Sequence, residues 1–142
     1  MNKNELLSPI TNQAILDVFE KEIPLVTESY DPDTFGNGYT EYHLDNLNII
    51  ILKDRGELFL HIGKINTDNT FYLGTVLEYM GININNEIPD IEHIKEQLNI
   101  IKINRIKLIS IFEEVDIDKK LTLLEEEISK RLISELSKKY EK

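Results

Sequence analysis

Residues 39–63 alternate between two kinds of side chain with a period of two, and turn dipeptides interrupt the pattern twice. Few folds can accept such a segment. The interruptions are Asp45-Asn46 and Arg55-Gly56, and each suits a two-residue hairpin loop. The segment therefore predicts a three-stranded β-meander. Two-residue loops place Leu44 opposite Leu47, His43 opposite Asn48, Asp54 opposite Glu57, Leu52 opposite Phe59 and Ile50 opposite His61. Successive side chains on a strand point to opposite faces. One face collects Thr40, Tyr42, Leu44, Leu47, Ile49, Ile51, Leu58, Leu60 and Ile62, and is a core face. The other collects Tyr39, Glu41, His43, Asn48, Ile50, Leu52, Phe59 and His61, a mixture of aromatic, imidazole, carboxylate and aliphatic groups. A slip of one residue would carry the apolar set into water, so the pattern opposes it.

The flanking segments change type along the chain, which argues for an α+β domain rather than alternating α/β. A first helix is expected from Ser8 as N-cap, with Pro9 at the first helical position, to about Glu22. Pro24 stops it, and a strand is expected over Leu25–Tyr30. A helix with Leu73, Val76, Leu77 and Met80 on one side is expected over Phe71–Met80, ending at Gly81. Pro89-Asp90 opens a longer helix to about Glu114, with a strand inside Asn99–Phe112 as the alternative its β-branched density allows. A last helix over Asp118–Lys139 carries the stripe Leu121, Leu124, Ile128, Leu132 and Leu136. The expectation is thus an N-terminal helix, a four-stranded and mainly antiparallel sheet, then three helices, the last two packed as an antiparallel pair. Leu60, Ile49, Ile51, Val76, Leu77, Leu98 and Leu124 are the expected core.

Length and composition bound the rest. A chain of 142 residues fits a single domain and buries roughly 70% of its unfolded surface. It contains no cysteine, which removes disulfides, thiol nucleophiles and zinc–thiolate sites, and suits a reducing compartment. The start, MNKNELLSPITNQ, lacks the apolar core of a signal peptide, and no run approaches a membrane span. A cytoplasmic protein is expected. The net charge is −10; such a field repels phosphate backbones and favours encounter with a basic protein.

The chemistry-bearing constellations are few. Asp31-x-Asp33-x-Phe35-Gly36 brushes against a calcium loop, but Phe35 and Tyr42 stand where oxygen ligands are needed. His43 and His61 share a face with a strand between them, roughly 10 Å apart at about 4.8 Å per strand spacing. Glu41 is the third group that a metal or a small enzyme site could use there. His93, beside Glu92 and Glu96, is assigned to a solvated helix face. Asp54-Arg55-Gly56-Glu57 forms a charged hairpin tip of the kind that carries contacts. The chain has no phosphate loop, dinucleotide fingerprint or nucleophile elbow.

Tyr30-Asp31-Pro32 followed by Phe35-Gly36-Asn37, together with Asp54-Arg55-Gly56 before a strand, resembles small bacterial proteins that include immunity proteins of polymorphic toxin systems. The resemblance spans Pro24 to Gly81 and carries over no functional residue. It implies stoichiometric binding of another protein, specifically neutralisation of a basic toxin domain, without a cofactor. On the residues themselves, the expected contact set is Tyr39, Glu41, His43, Asp54, Arg55, Glu57, Phe59 and His61. Two alternatives stay open: an adaptor or structural domain that forms a homodimer through Leu121–Leu136, and a small enzyme or metal-binding protein using Glu41, His43 and His61.

Overall fold

A computed structural model describes residues 7–31, 37–82 and 90–140. Helix α1 (Ser8–Phe19) precedes strands β1 (Leu25–Asp31), β2 (Asn37–Leu44), β3 (Leu47–Asp54), β4 (Glu57–Lys64) and β5 (Thr70–Tyr72). Helices α2 (Leu73–Tyr79), α3 (Ile91–Ile103), α4 (Arg105–Ile111) and α5 (Ile117–Tyr140) follow. The five strands form one antiparallel sheet in the order β1-β2-β3-β4-β5. The α+β class is as expected. All five expected cross-strand pairs of the meander are present, from Leu44–Leu47 to Ile50–His61.

The fifth strand was not expected. Thr70, Phe71 and Tyr72 continue the alternation for a single period and run directly into α2, so the segment reads as a helix start in sequence. The calcium-like loop falls largely on residues 32–36, outside the described residues.

Helix α1 begins one residue earlier than its sequence suggests, with Leu7 as N-cap and no capping side chain of its own. A carboxylate from β1 does that work instead. Glu28 accepts hydrogen bonds from the N–H groups of Leu7 at 3.1 Å and Ser8 at 2.9 Å. These are two of the orphan donors that every helix start must satisfy. The helix ends at Phe19, where Glu20 turns left-handed at φ 60°, before Pro24 can act.

A chain of hydrogen bonds locks α1 to the core face of the sheet. Thr40 Oγ1 donates to Thr11 Oγ1 at 3.0 Å, Thr11 Oγ1 lies 2.6 Å from the Tyr42 hydroxyl, and Tyr42 donates to Asn12 Oδ1 at 2.5 Å. Burial raises the Tyr42 pKa above the ordinary tyrosine value, with the bonds to Thr11 and Thr40 opposing it. Around this chain sits one core built from Ile15, Tyr42, Leu47, Ile49, Ile51, Leu60, Ile62, Leu73, Leu77, Leu98 and Ile101. Six of the seven expected core residues are buried, and Leu124 is half-buried.

The long helix is split in two. Asn104 donates both its backbone N–H and its side-chain amide to the Ile100 carbonyl, each at 3.0 Å. That local competition ends α3, as asparagine tends to do inside helices. The segment is helical on both sides of Asn104, so the strand alternative falls, and Ile103 and Ile106 are exposed. Helix α5 packs mainly on α2 and β5, with its clearest helix–helix contact made to α2. The expected antiparallel pairing of the last two helices is replaced by this arrangement. Its apolar stripe is buried only at Leu121, whereas Leu132, Ile133 and Leu136 are 56%, 63% and 54% exposed. Among the described residues, no helix is long and apolar enough to cross a membrane.

Candidate functional site

The sheet has a second face, and the register lays it out in three rows. Tyr39, Leu52 and Phe59 form the row nearest the β3–β4 turn. Glu41, Ile50, His61 and Tyr72 form the middle row, and His43, Asn48, Gly63 and Thr70 the far row. Tyr39, Glu41, His43, Ile50, Leu52, Phe59 and His61 all keep partial exposure, so no described helix seals this face. Tyr72 is 50% exposed. The face carries a band of aromatic and aliphatic surface flanked by Glu41.

The aromatic groups of β4 and β5 form a cluster. The Phe59 and Tyr72 rings meet edge-on at 6.2 Å, and the His61 ring lies 4.3 Å from that of Tyr72. The His61 Nδ1 atom is 3.4 Å from Thr70 Oγ1, while its Nε2 is buried with no hydrogen-bond partner among the described residues. Asn48 Oδ1, one diagonal step away, is likewise buried and unpartnered. At this end the chain folds back over the face. A Cβ on Gly63 would come within 2.4 Å of the Asn69 carbonyl oxygen, so only glycine fits.

Burial holds the His61 pKa below the ordinary histidine value, and the Glu125 carboxylate opposes the shift. In the unfolded chain the ring takes up a proton at about pH 6.5. The unfolded state therefore binds the proton first as pH falls, and stability is lost below that pH down to the folded-state value. Urea midpoints measured at about pH 7.5 and about pH 5.5 test this. The wild type is expected to lose more stability between the two than His61→Gln does; equal losses would remove His61 as the cause.

Five of the eight residues expected at the site, Tyr39, Glu41, His43, Phe59 and His61, lie together on this face. Glu41 Oε2 and His43 Nε2 approach to 3.6 Å, but His61 belongs to a different strand and packs on Tyr72. The three groups named for a metal or a small enzyme site are therefore not gathered around one point. Among the described residues, no cluster of three or more His, Asp or Glu side chains could hold a metal ion. Asp54, Arg55 and Glu57 sit at the adjoining hairpin tip. The Asn37 side chain fixes that tip, donating to Asp54 Oδ1 at 3.2 Å and accepting from the Arg55 N–H at 2.8 Å. Arg55 takes the positive φ of 53° there, and its guanidinium makes no ion pair among the described residues.

Beside the sheet lies a groove of about 590 Å³ that sequence reasoning did not foresee. Leu58, Phe59 and Leu60 of β4 form one wall, Leu73 of α2 and Ile128 of α5 the other, and Gln97 of α3 lines it as well. His93, assigned by sequence to a solvated face, is half-buried and lines this groove. Glu125 organises its far wall, accepting from the Tyr72 N–H at 2.9 Å and from Thr75 Oγ1 at 3.0 Å. Arg131 pairs with Glu78 along the same wall. No family model, curated protein or solved structure matches the chain. Geometry and charge therefore carry the functional reading.

Proposed function

We propose that this protein binds another protein stoichiometrically, and that the open sheet face is its contact surface. The observation that carries the proposal is the half-exposed band of Tyr39, Ile50, Leu52, Phe59 and Tyr72, which no described helix seals. Aromatic anchors within a polar rim are the usual source of binding energy at interfaces. Glu41 and the Asp54–Glu57 tip supply that rim, and the net charge of −10 selects for a basic partner. The specific form of the proposal is an immunity protein that neutralises a basic toxin domain.

The test is co-expression with a basic toxin domain encoded beside the gene, followed by co-purification. Replacing Tyr39 and Phe59 by Ala is expected to abolish the complex while circular dichroism and melting stay near wild type. Glu41→Lys, which disturbs no core packing, is expected to weaken it as well. A complex that survives both changes would sink the proposal. The exposed Leu132, Ile133 and Leu136 favour a second reading, self-association through α5. Light scattering on the wild type and on Leu132→Ser/Leu136→Ser separates the two readings: a dimer that becomes a monomer supports self-association.

A further inference from the structure

The two sides of strand β4 are unequally covered. Along its full length, Glu57–Lys64, it pairs with β3. On its other side β5 pairs only with His61, Ile62 and Gly63. In a two-residue hairpin the closing pair, here Asp54 and Glu57, exchanges hydrogen bonds, and bonded and outward-facing residues then alternate. Glu57, Phe59 and His61 therefore bond to β3, whereas Leu58, Leu60 and Ile62 turn their backbone groups the other way. Ile62 meets Phe71 of β5. The N–H and C=O of Leu58 and the N–H of Leu60 face the groove with no strand beside them among the described residues.

That free edge is about 10 Å long, at roughly 3.3 Å per residue. An unpaired edge of this kind is a template for another strand unless a protein blunts it. Here the groove runs alongside it, as both Leu58 and Leu60 line its wall.

Gln97 supplies an independent sign of a ligand. It is only 7% exposed, it lines the groove, and its side-chain amide makes no hydrogen bond among the described residues. The amide atoms are not shut off from solvent, so they open onto the groove, and their bonds must come from water or from a ligand. Both a donor and an acceptor are thus presented to whatever enters. The charge of the walls indicates its sign. Glu125 lies in the groove and Glu57 begins the free edge, while Arg131 is already taken by Glu78.

We propose that the free edge of β4 and the adjoining groove accept a short extended segment of a basic protein as an added strand, with one of its polar side chains bonded to the Gln97 amide. The main-chain bonds to Leu58 and Leu60 hold the segment in register, as in other β-strand additions. Leu73 and Ile128 pack its inward apolar side chains, and Lys or Arg beside them meets Glu125 or Glu57. The inference rests on the protein-binding reading and adds the kind of segment the partner must present.

The test uses the full chain and a phage-displayed library of linear peptides. Panning is expected to enrich sequences in which Lys or Arg alternates with apolar residues. Titrating a selected peptide is expected to shift the Leu58 and Leu60 amide resonances and to slow exchange at Leu58. Gln97→Leu is expected to weaken it about tenfold, the scale of one lost buried hydrogen bond. Leu58→Pro, which removes an N–H that β3 does not use, is expected to do the same. Failure to enrich any peptide would overturn the proposal, as would a peptide, or a small molecule, that binds without moving those two amides. The face reading fails separately. Tyr39→Ala and Glu41→Lys lie outside the groove and are expected to spare peptide binding. A whole partner that is lost with those two changes while no peptide is ever selected would leave the face reading standing and remove this one.

Discussion

Replacing Ile51 by Ala is expected to lower the free energy of unfolding by about 2–5 kcal/mol, the range for large-to-small changes in a close-packed interior. Ile51 is fully buried in the middle strand, between Thr40 on β2 and Leu60 on β4. The methylenes it loses leave a cavity that the flanking strands cannot close without breaking their ladders. Its chain neighbour Ile50 points to the opposite face and is only half-buried. Ile50→Ala is expected to cost less than half as much, because water replaces part of what the side chain touches. Urea unfolding of the two variants measures the asymmetry of the sheet directly. Equal costs would mean that both faces are sealed, and would remove the open face on which the binding proposal depends.

Replacing Gly38 by Ala is expected to cost about 1–3 kcal/mol or more, the range for overpacking a close contact. A Cβ there would stand 2.2 Å from the Ser29 carbonyl oxygen and 3.2 Å from the Tyr30 Cα, both backbone atoms of β1. No rotamer change relieves that contact, so β1 must move away from β2. The expected signature is faster amide exchange along Leu25–Asp31 alongside a lower urea midpoint. Gly56→Ala provides the comparison, since nothing among the described residues lies within 4 Å of a Cβ there and its positive φ of 85° is what resists the change. That strain is about 1–2 kcal/mol.

Sequence alone specified the meander down to its register because every signal there is local. Two turn dipeptides fix the loop lengths, and the period-two pattern chooses the face. The membership of the second sheet face followed from the same arithmetic. What escaped was decided between distant residues. Glu28 caps α1 from about 20 residues away in sequence, and Glu125 anchors the Tyr72–Thr75 segment from about 50. Neither carboxylate differs in composition from the many solvated acids around it. Tyr72 was missed because three residues of strand are too short a period to read. Gln97 falls beside Ile94, Leu98 and Ile101 on the inner side of α3, where a polar residue looks like the margin of a stripe. Only the groove shows that its amide opens onto it, with no hydrogen bond among the described residues. The stripe of α5 gave the opposite lesson: its spacing is regular to Leu136, but the body it packs against ends sooner.

The sheet order β1-β2-β3-β4-β5 has a kinetic consequence. Every strand pairs only with its neighbours in sequence, so the whole ladder can grow without closing a long loop. The entropic toll of loop closure rises slowly with length but must be met before any contact rewards it. Here it falls mainly on the two ends, where Thr11 must find Tyr42 and Glu125 must find Thr75. The local contacts of β2-β3 and β3-β4 therefore carry the smallest closure cost, and those that tie α1 and α5 to the sheet the largest. A sheet laid out in this order owes its register to its turns, so a lengthened β2–β3 or β3–β4 loop would disturb it more than a longer connection to α1 or α5.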